Sequence, residues 1–209
     1  MVPGVVTAPQ PLLLTTEALA HLLEANQARL LRTIAVRLNP SLGRRVAPED
    51  VLQDAYVAAA ARLHHRVGSP YSSDFLWLRA IVLQTITDCH RSHLGAGMRD
   101  AMREAAPAMP APASAPTMAQ LFAASATSPS GVAMKRETSQ SIAQALELLS
   151  EADREVVALR HFEDLGNNEI AEVLGIQVKA ASIRYIRAVM RLKELLAERG
   201  VTLGDLRGR

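Results

Sequence analysis

The segment VKAASIRYIRAVMRLK at 178–193 carries Lys179, Arg184, Arg187, Arg191 and Lys193 and no acidic residue. At helical spacing Ala180, Arg184, Arg187 and Arg191 fall within about 60° of one another, while Ala181, Tyr185, Val189, Leu192 and Leu196 form a second stripe. One face is basic and another packs. A row of guanidinium groups along a helix suits a polyanion, because such side chains bond phosphate oxygens and fix register on a duplex. Immediately upstream, NNEIAEVLGIQV supplies the mounting: Ala171 lets a second helix cross closely, and Gly175, four residues on, supplies a turn. Ile170, Val173, Leu174, Ile176 and Ala181 fill the small core between the two helices. Two short helices joined by a tight turn, the second cationic, predict a helix-turn-helix whose second helix enters the major groove. Lys179, Ser182 and Arg184 are candidates for base-edge or nearby phosphate contacts, and Arg187 and Arg191 for backbone positioning. Ile183, Ile186 and Met190 make a further apolar strip, which either packs inside the domain or meets a protein partner.

Two other groups of residues could do chemistry. Asp50, Gln53 and Asp54, spaced by three and four, share one face of a helix and have no obvious partner within their own block. The run DCHRSH gathers Asp88, Cys89, His90 and His93, and Cys89 with His93 at i, i+4 could share a metal-ligand face. Structural zinc takes four ligands, however, and only His64 and His65 offer a complement. Cys89 also fits the packed stripe of its helix, so no metal site is assigned. No Gly-rich phosphate loop or nucleophile motif is visible. The chain is expected not to be an enzyme and to need no cofactor.

The elements that must position these groups are helical. Aromatic residues make up 3% of the 209 and hydrophobic residues 49%. Ala, Leu, Arg and Glu, all strong helix formers, dominate over β-branched runs. An all-α protein of two small helical domains follows. In the first block Thr16 can cap EALAHLLEANQARLLRTIAVRL, which Asn39-Pro40 stops. Pro48 suits the first turn of PEDVLQDAYVAAAARL, with Glu49 and Asp50 at the positive end of the helix dipole. After the turn-like VGSPYSS, a third helix aligns Leu78, Ile81, Val82, Thr85 and Cys89 on one face and Ala80, Gln84, Thr87 and Arg91 on the other. From Ala105 to Met134 no residue is charged, and APAMPAPASAP places prolines where neither helix nor strand continues. That stretch reads as a flexible Ala/Pro-rich linker that holds the flanking blocks apart, although MAQLFAA inside it could order against a partner. The second block opens with a short helix around SIAQALELL, then SEADREVVALRHF, where Ser150 and Asp153 resemble a capping box. The division is an N-terminal segment 1–14, a helical domain 15–104, a linker 105–137, a helix-turn-helix domain 138–200 and a tail 201–209.

The formal net charge is only +2, but acids predominate from Glu147 to Glu172 and cations alone occur from Lys179 to Arg191. A single cysteine, Cys89, permits no intramolecular disulfide and fits a reducing compartment. No apolar run approaches the roughly 20 residues of a membrane span, and MVPGVVTAPQP lacks a cationic signal-peptide start. A cytoplasmic protein without membrane insertion is expected.

Taken together, the two blocks resemble a bacterial RNA polymerase sigma factor of the extracytoplasmic-function group, which keeps regions 2 and 4 joined by a linker. PEDVLQDAYVAAAARL resembles region 2.2, FLWLRAIVLQTITDCHRSH resembles regions 2.3 and 2.4, and LELLSEADREVVALRHFEDLGNNEIAEVLGI resembles region 4. The resemblance implies that Asp50, Gln53 and Asp54 dock on the clamp helices of core RNA polymerase, with the polymerase flap and promoter DNA as further partners and an anti-sigma factor as an inhibitor. It implies that Gln84, Thr87 and Arg91 contact the −10 element, and that Lys179, Ser182, Arg184, Arg187 and Arg191 contact the −35 element. Tyr71, Phe75 and Trp77 lie where the family opens the −10 element and holds displaced bases, a task suited to stacking platforms. Trp77 competes as a core residue, and the loop from Gly68 to Asp74 is the better candidate for base capture. Departures from the family pattern are clear. In KAASIRYIRAVMRL only Arg184, Arg187, Ala188 and Leu192 hold, and LQTITD lacks an Arg-Asn pair common in region 2, so promoter specificity does not carry over. The rival function is a polymerase-independent helix-turn-helix regulator, which would bind paired half-sites as a dimer.

Overall fold

The computed structural model describes residues 15–39, 42–43, 45–93, 112–125 and 132–201. Among these residues every regular element is helical, and none of the helices is long and apolar enough to cross a membrane. The N-terminal segment, the tail beyond Val201, and residues 94–111 lie outside the described residues.

Helix α1 spans Thr16–Arg37. Its cap is Thr15 rather than Thr16: Thr15 has an extended backbone, so its hydroxyl accepts from the Ala18 N–H at 3.1 Å. The helix ends at Leu38, just ahead of Asn39-Pro40. Helix α2, Pro48–Ala61, starts with Pro48 in its first turn beside Glu49 and Asp50, as the sequence predicts, and a 3-10 turn, Leu63–His65, follows. Helix α3, Asp74–His93, buries Leu78, Ile81 and Val82 against α1 and α2. Phe75 and Trp77 are buried in the same core.

The linker expected at 105–137 is overturned in part. Residues Ala115–Ser125 form helix α4, with Met118 and Ala119 fully buried. Pro116 stands in its first turn, where a missing N–H leaves no hydrogen bond unmade, so this proline admits a helix instead of forbidding one. MAQLFAA orders against its own chain. Phe122 meets the Phe162 ring edge-on at 4.7 Å, and the Ser114 N–H donates to the Val36 carbonyl at 2.8 Å.

Helix α5, Val132–Glu147, begins ahead of the expected boundary at 138 and packs along α4. Helix α6, Glu151–His161, is capped as predicted: the Ser150 hydroxyl accepts from the Asp153 N–H at 3.1 Å and donates to the Asp153 carboxylate at 2.7 Å. Helix α7, Asn167–Leu174, ends at Gly175, whose φ of 62° turns the chain into helix α8, Val178–Ala197. A side chain at that φ would be strained, which is why glycine serves there. The helix pair closes over Ile170, Ala171 and Ala181, with Val173, Leu174 and Ile176 partly buried around them.

The two blocks are not held apart. They meet across a set of arginines on α1 and α3 and the acidic loop between α6 and α7. The linker reading failed because composition reports local stiffness and says nothing of what two charged surfaces do on contact.

Candidate nucleic-acid interface

Helix α8 is built as a two-sided rod. Ala181, Ala188, Leu192, Leu195 and Leu196 are buried, and Lys179, Arg187 and Arg191 point to solvent. The Tyr185 hydroxyl is 3.0 Å from His161 Nε2, which fastens α8 to α6. Arg191 pairs with Glu194 at 3.1 Å, an exposed contact that a phosphate can displace at little cost. Ser182 and Arg184 are half-buried, and Arg184 turns towards the N-terminal block instead of the outer face. Ile183, Ile186 and Met190 are 41%, 56% and 58% exposed, so the strip does not pack inside the domain.

On the N-terminal block Asp50, Gln53 and Asp54 are all exposed on α2, and among the described residues none of their side chains makes an ion pair. Gln84, Thr87 and Arg91 share a face of α3. Gln84 donates to Asp88 at 3.0 Å, Thr87 bonds back to the Leu83 carbonyl at 3.0 Å, and Arg91 lies 3.7 Å from Asp88. Behind Gln84 a recess of about 340 Å³ is lined by Arg62, His65, Tyr71 and Trp77, an amphipathic surround suited to an unstacked base. The adjoining loop is ordered by Arg66, which donates to Asp74 at 2.6 Å and to Ser69 at 3.0 Å. Of the three aromatics expected to handle bases, Tyr71 alone remains half-exposed; Phe75 is buried under the Arg29 guanidinium, 3.5 Å from its centroid.

Of the DCHRSH run, the His93 side chain lies outside the described residues. His90 Nε2 accepts from the Asn39 N–H at 3.2 Å, and Cys89 is half-buried, its thiol pushed up by burial and by Asp54. Among the described residues no three His, Cys, Asp or Glu side chains gather as a metal site.

The residues that sequence reasoning missed join the blocks. Glu163 is fully buried between Arg37 and Arg79: its carboxylate accepts from Arg37 at 2.6 Å and from Arg79 Nε. Arg37 reaches Glu155 as well, at 2.6 Å. Arg29 and Arg32 donate to the backbone carbonyls of Glu163, Asp164 and Phe162, where Asp164 stands at a φ of 47°. The available signal was the spacing of Arg29, Arg32 and Arg37 on one helix, together with two acids in the RHFEDLG loop. Removing one partner from a buried pair of this kind costs about 3–5 kcal/mol, since it strands the other charge.

Burial alone would raise the Glu163 carboxyl, but Arg37 and Arg79 outweigh it and hold the group below the usual carboxylate range. Burial would likewise lower Arg37, and Glu163 with Glu155 raise it instead. A depressed acid contributes its stabilisation fully above its unfolded pKa, about 4.3 for glutamate, and loses it as pH falls through the folded value. Contact between the blocks is therefore expected to stay constant from neutral pH down to about 5 and to fail only in stronger acid. Small-angle scattering across a pH series checks this; an expansion already complete near neutrality would contradict it.

Comparison with known proteins fits this geometry. Residues 139–192 match the family model for sigma-70, region 4. No curated protein matches the chain. The structure of CnrH in complex with the cytosolic domain of CnrY aligns at 22% identity over 88% of this chain and 90% of that one, with a TM-score of 0.48. Residues 139–192, which include the helix-turn-helix, thus carry a sigma-70 region 4.

Proposed function

We propose that this chain binds core RNA polymerase and directs it to promoters, its N-terminal block reading and melting the −10 element and its C-terminal block reading the −35 element. The observation that carries most weight is α8, where Lys179, Arg187 and Arg191 are exposed on a rod whose opposite side is packed into a sigma-70 region 4. Its N-terminal turn offers Lys179 and Ser182 to base edges, and Arg187 and Arg191 fix the helix on the phosphates. On the other block the α3 face holds Gln84, an amide that bonds base edges, beside the recess lined by Tyr71 and Trp77. Asp50, Gln53 and Asp54 form the docking face for the clamp helices, and the flap is the expected contact of the C-terminal block. The chain itself catalyses nothing, needs no cofactor and works in the cytoplasm, where the polymerase supplies the chemistry. An anti-sigma factor is a further partner of the same class of protein.

Run-off transcription with purified core enzyme tests the proposal. Added initiation on at least one promoter from the native genome is expected, and none on any of them would sink it. Dimeric binding to paired half-sites without polymerase would favour the regulator instead. Replacing Arg187 or Arg191 by Ala should weaken binding to all duplexes alike and reduce the slope of log affinity against log salt by about 1 for each lost phosphate contact. A sequence-selective loss with an unchanged slope would assign those residues to base reading.

A further inference from the structure

We infer that Ile183 and Ile186 of α8 read thymine: set at the centre of the face that a major groove receives, they touch the C5-methyl groups of thymines in the −35 element. This rests on the proposed contact of α8 with promoter duplex, and deepens it by naming the base feature that is read.

At helical spacing the buried residues Ala181, Ala188, Leu192 and Leu195 of α8 centre on one direction, and Lys179, Ile183, Ile186 and Met190 lie within about 60° of one another on the opposite side. A helix seated in a groove directs to its floor the side turned furthest from its own core. On α8 that side is largely apolar: Ile183 and Ile186 are 41% and 56% exposed, and Met190 continues the strip one turn on at 58%. Of the residues expected at base edges, Lys179 shares this side, whereas Ser182 is half-buried at its border and Arg184 lines the cleft against the N-terminal block. An exposed aliphatic side chain has one specific partner on the groove floor, the thymine methyl, because the other groups by which base pairs differ there are polar donors and acceptors. Isoleucines three residues apart are separated by about 4.5 Å along the helix axis, comparable with the roughly 3.4 Å of a base step, so they reach neighbouring base pairs. The surrounding charges favour DNA as the occupant. Exposed Arg187 and Arg191 run along one border of the strip, exposed Lys193 stands on the other, and α8 carries no acid before Glu194. An apolar strip framed by cations matches a methyl-bearing floor between two phosphate walls, and the major groove, about 12 Å wide, has that form. A protein helix meeting the same strip would need an acidic rim.

Uracil is thymine without the C5-methyl, so replacing thymine by uracil removes the methyl and keeps every hydrogen-bonding group. The full chain is first used to select binding sequences from a pool of random DNA duplexes, and each thymine of the enriched duplex is then replaced by uracil in turn. Wild type is expected to lose about fourfold in affinity at one or more thymines, the effect of leaving one methyl-sized group unburied. Ile183→Ala and Ile186→Ala should each bind the thymine duplex about fourfold or more weakly than wild type, and each should be indifferent to uracil at the thymine its side chain touched. Both isoleucines are exposed, so neither substitution removes a core contact. A pool that enriches no sequence would overturn the inference, as would a wild type indifferent to uracil at every thymine, or a uracil penalty that both variants keep in full. Loss of polymerase pull-down by variants that bind the duplex unchanged would give the strip to a protein partner instead. Run-off transcription with core enzyme separates this inference from the initiation role. Initiation with no uracil penalty removes methyl reading alone. A uracil penalty abolished by Ile183→Ala or Ile186→Ala, with no initiation on any promoter, removes the initiation role alone.

Discussion

Reversing Asp50 and Asp54 together to lysine is expected to lower core-polymerase affinity, and with it run-off transcript yield, by about two orders of magnitude or more, because like charges set face to face cost several kcal/mol. Both carboxylates are exposed on α2, and among the described residues neither forms an ion pair, so their reversal costs the fold little beyond the favourable place of Asp50 at the helix N-terminus. Surface changes of this sort usually stay within about 0.5 kcal/mol of wild-type stability. Unchanged helical content with lost pull-down of polymerase is the expected pair of observations. Gln53→Ala, on the same face, should weaken binding less, since an amide carries no net charge to reverse. Undiminished initiation by the double reversal would show that α2 is a merely solvated face and would return the chain to the class of polymerase-independent regulators.

Met118→Ala is expected to destabilise the protein strongly. Met118 is fully buried in α4, between α5 and α1, and truncating a buried methionine to alanine costs about 2–5 kcal/mol in lost transfer energy and residual cavity. In a chain of this size each kcal/mol lowers the melting temperature by about 2–4 °C, so a fall of about 5–15 °C should be seen by thermal denaturation. The same substitution in a solvated tether would leave the transition where it was. An unchanged melting temperature would therefore detach α4 from the folded unit and restore the spacer expected from the Pro/Ala-rich composition.

The helix-turn-helix was legible because its determinants are local. Ala171 and Gly175 four residues apart, with apolar residues at helical spacing on either side, fix a crossing and a turn within about twenty positions, and no distant residue is needed to decide them. The cap at Ser150 and the first-turn proline Pro48 were legible for the same reason. The cap of α1 moved by one residue, from Thr16 to Thr15, because two adjacent threonines offer the same hydroxyl and only backbone geometry chooses between them. The site residues were legible as faces and not as surroundings. Gln84 and Thr87 lie on the helix side their spacing gives them, but Arg184, which spacing groups with Arg187 and Arg191, faces the N-terminal block across a cleft on which helix periodicity is silent. Sequence likewise left two fates open for Ile183, Ile186 and Met190, and their exposure removed internal packing.

The sequence by itself determined that the regular elements among the described residues are helices, where the helix-turn-helix lies, and which charges ride on which faces, since periodicity, caps and charge order act over a few turns of one element. Only the tertiary structure decided that the acids between Glu147 and Glu172 serve an internal purpose. Glu163 becomes a buried ion only when Arg37, 126 positions away, and Arg79, 84 positions away, arrive from other helices, and long-range pairing of that kind leaves no local trace in the chain. The same holds for α4, whose small apolar residues specify a helix only once α1 and α5 are there to cover them.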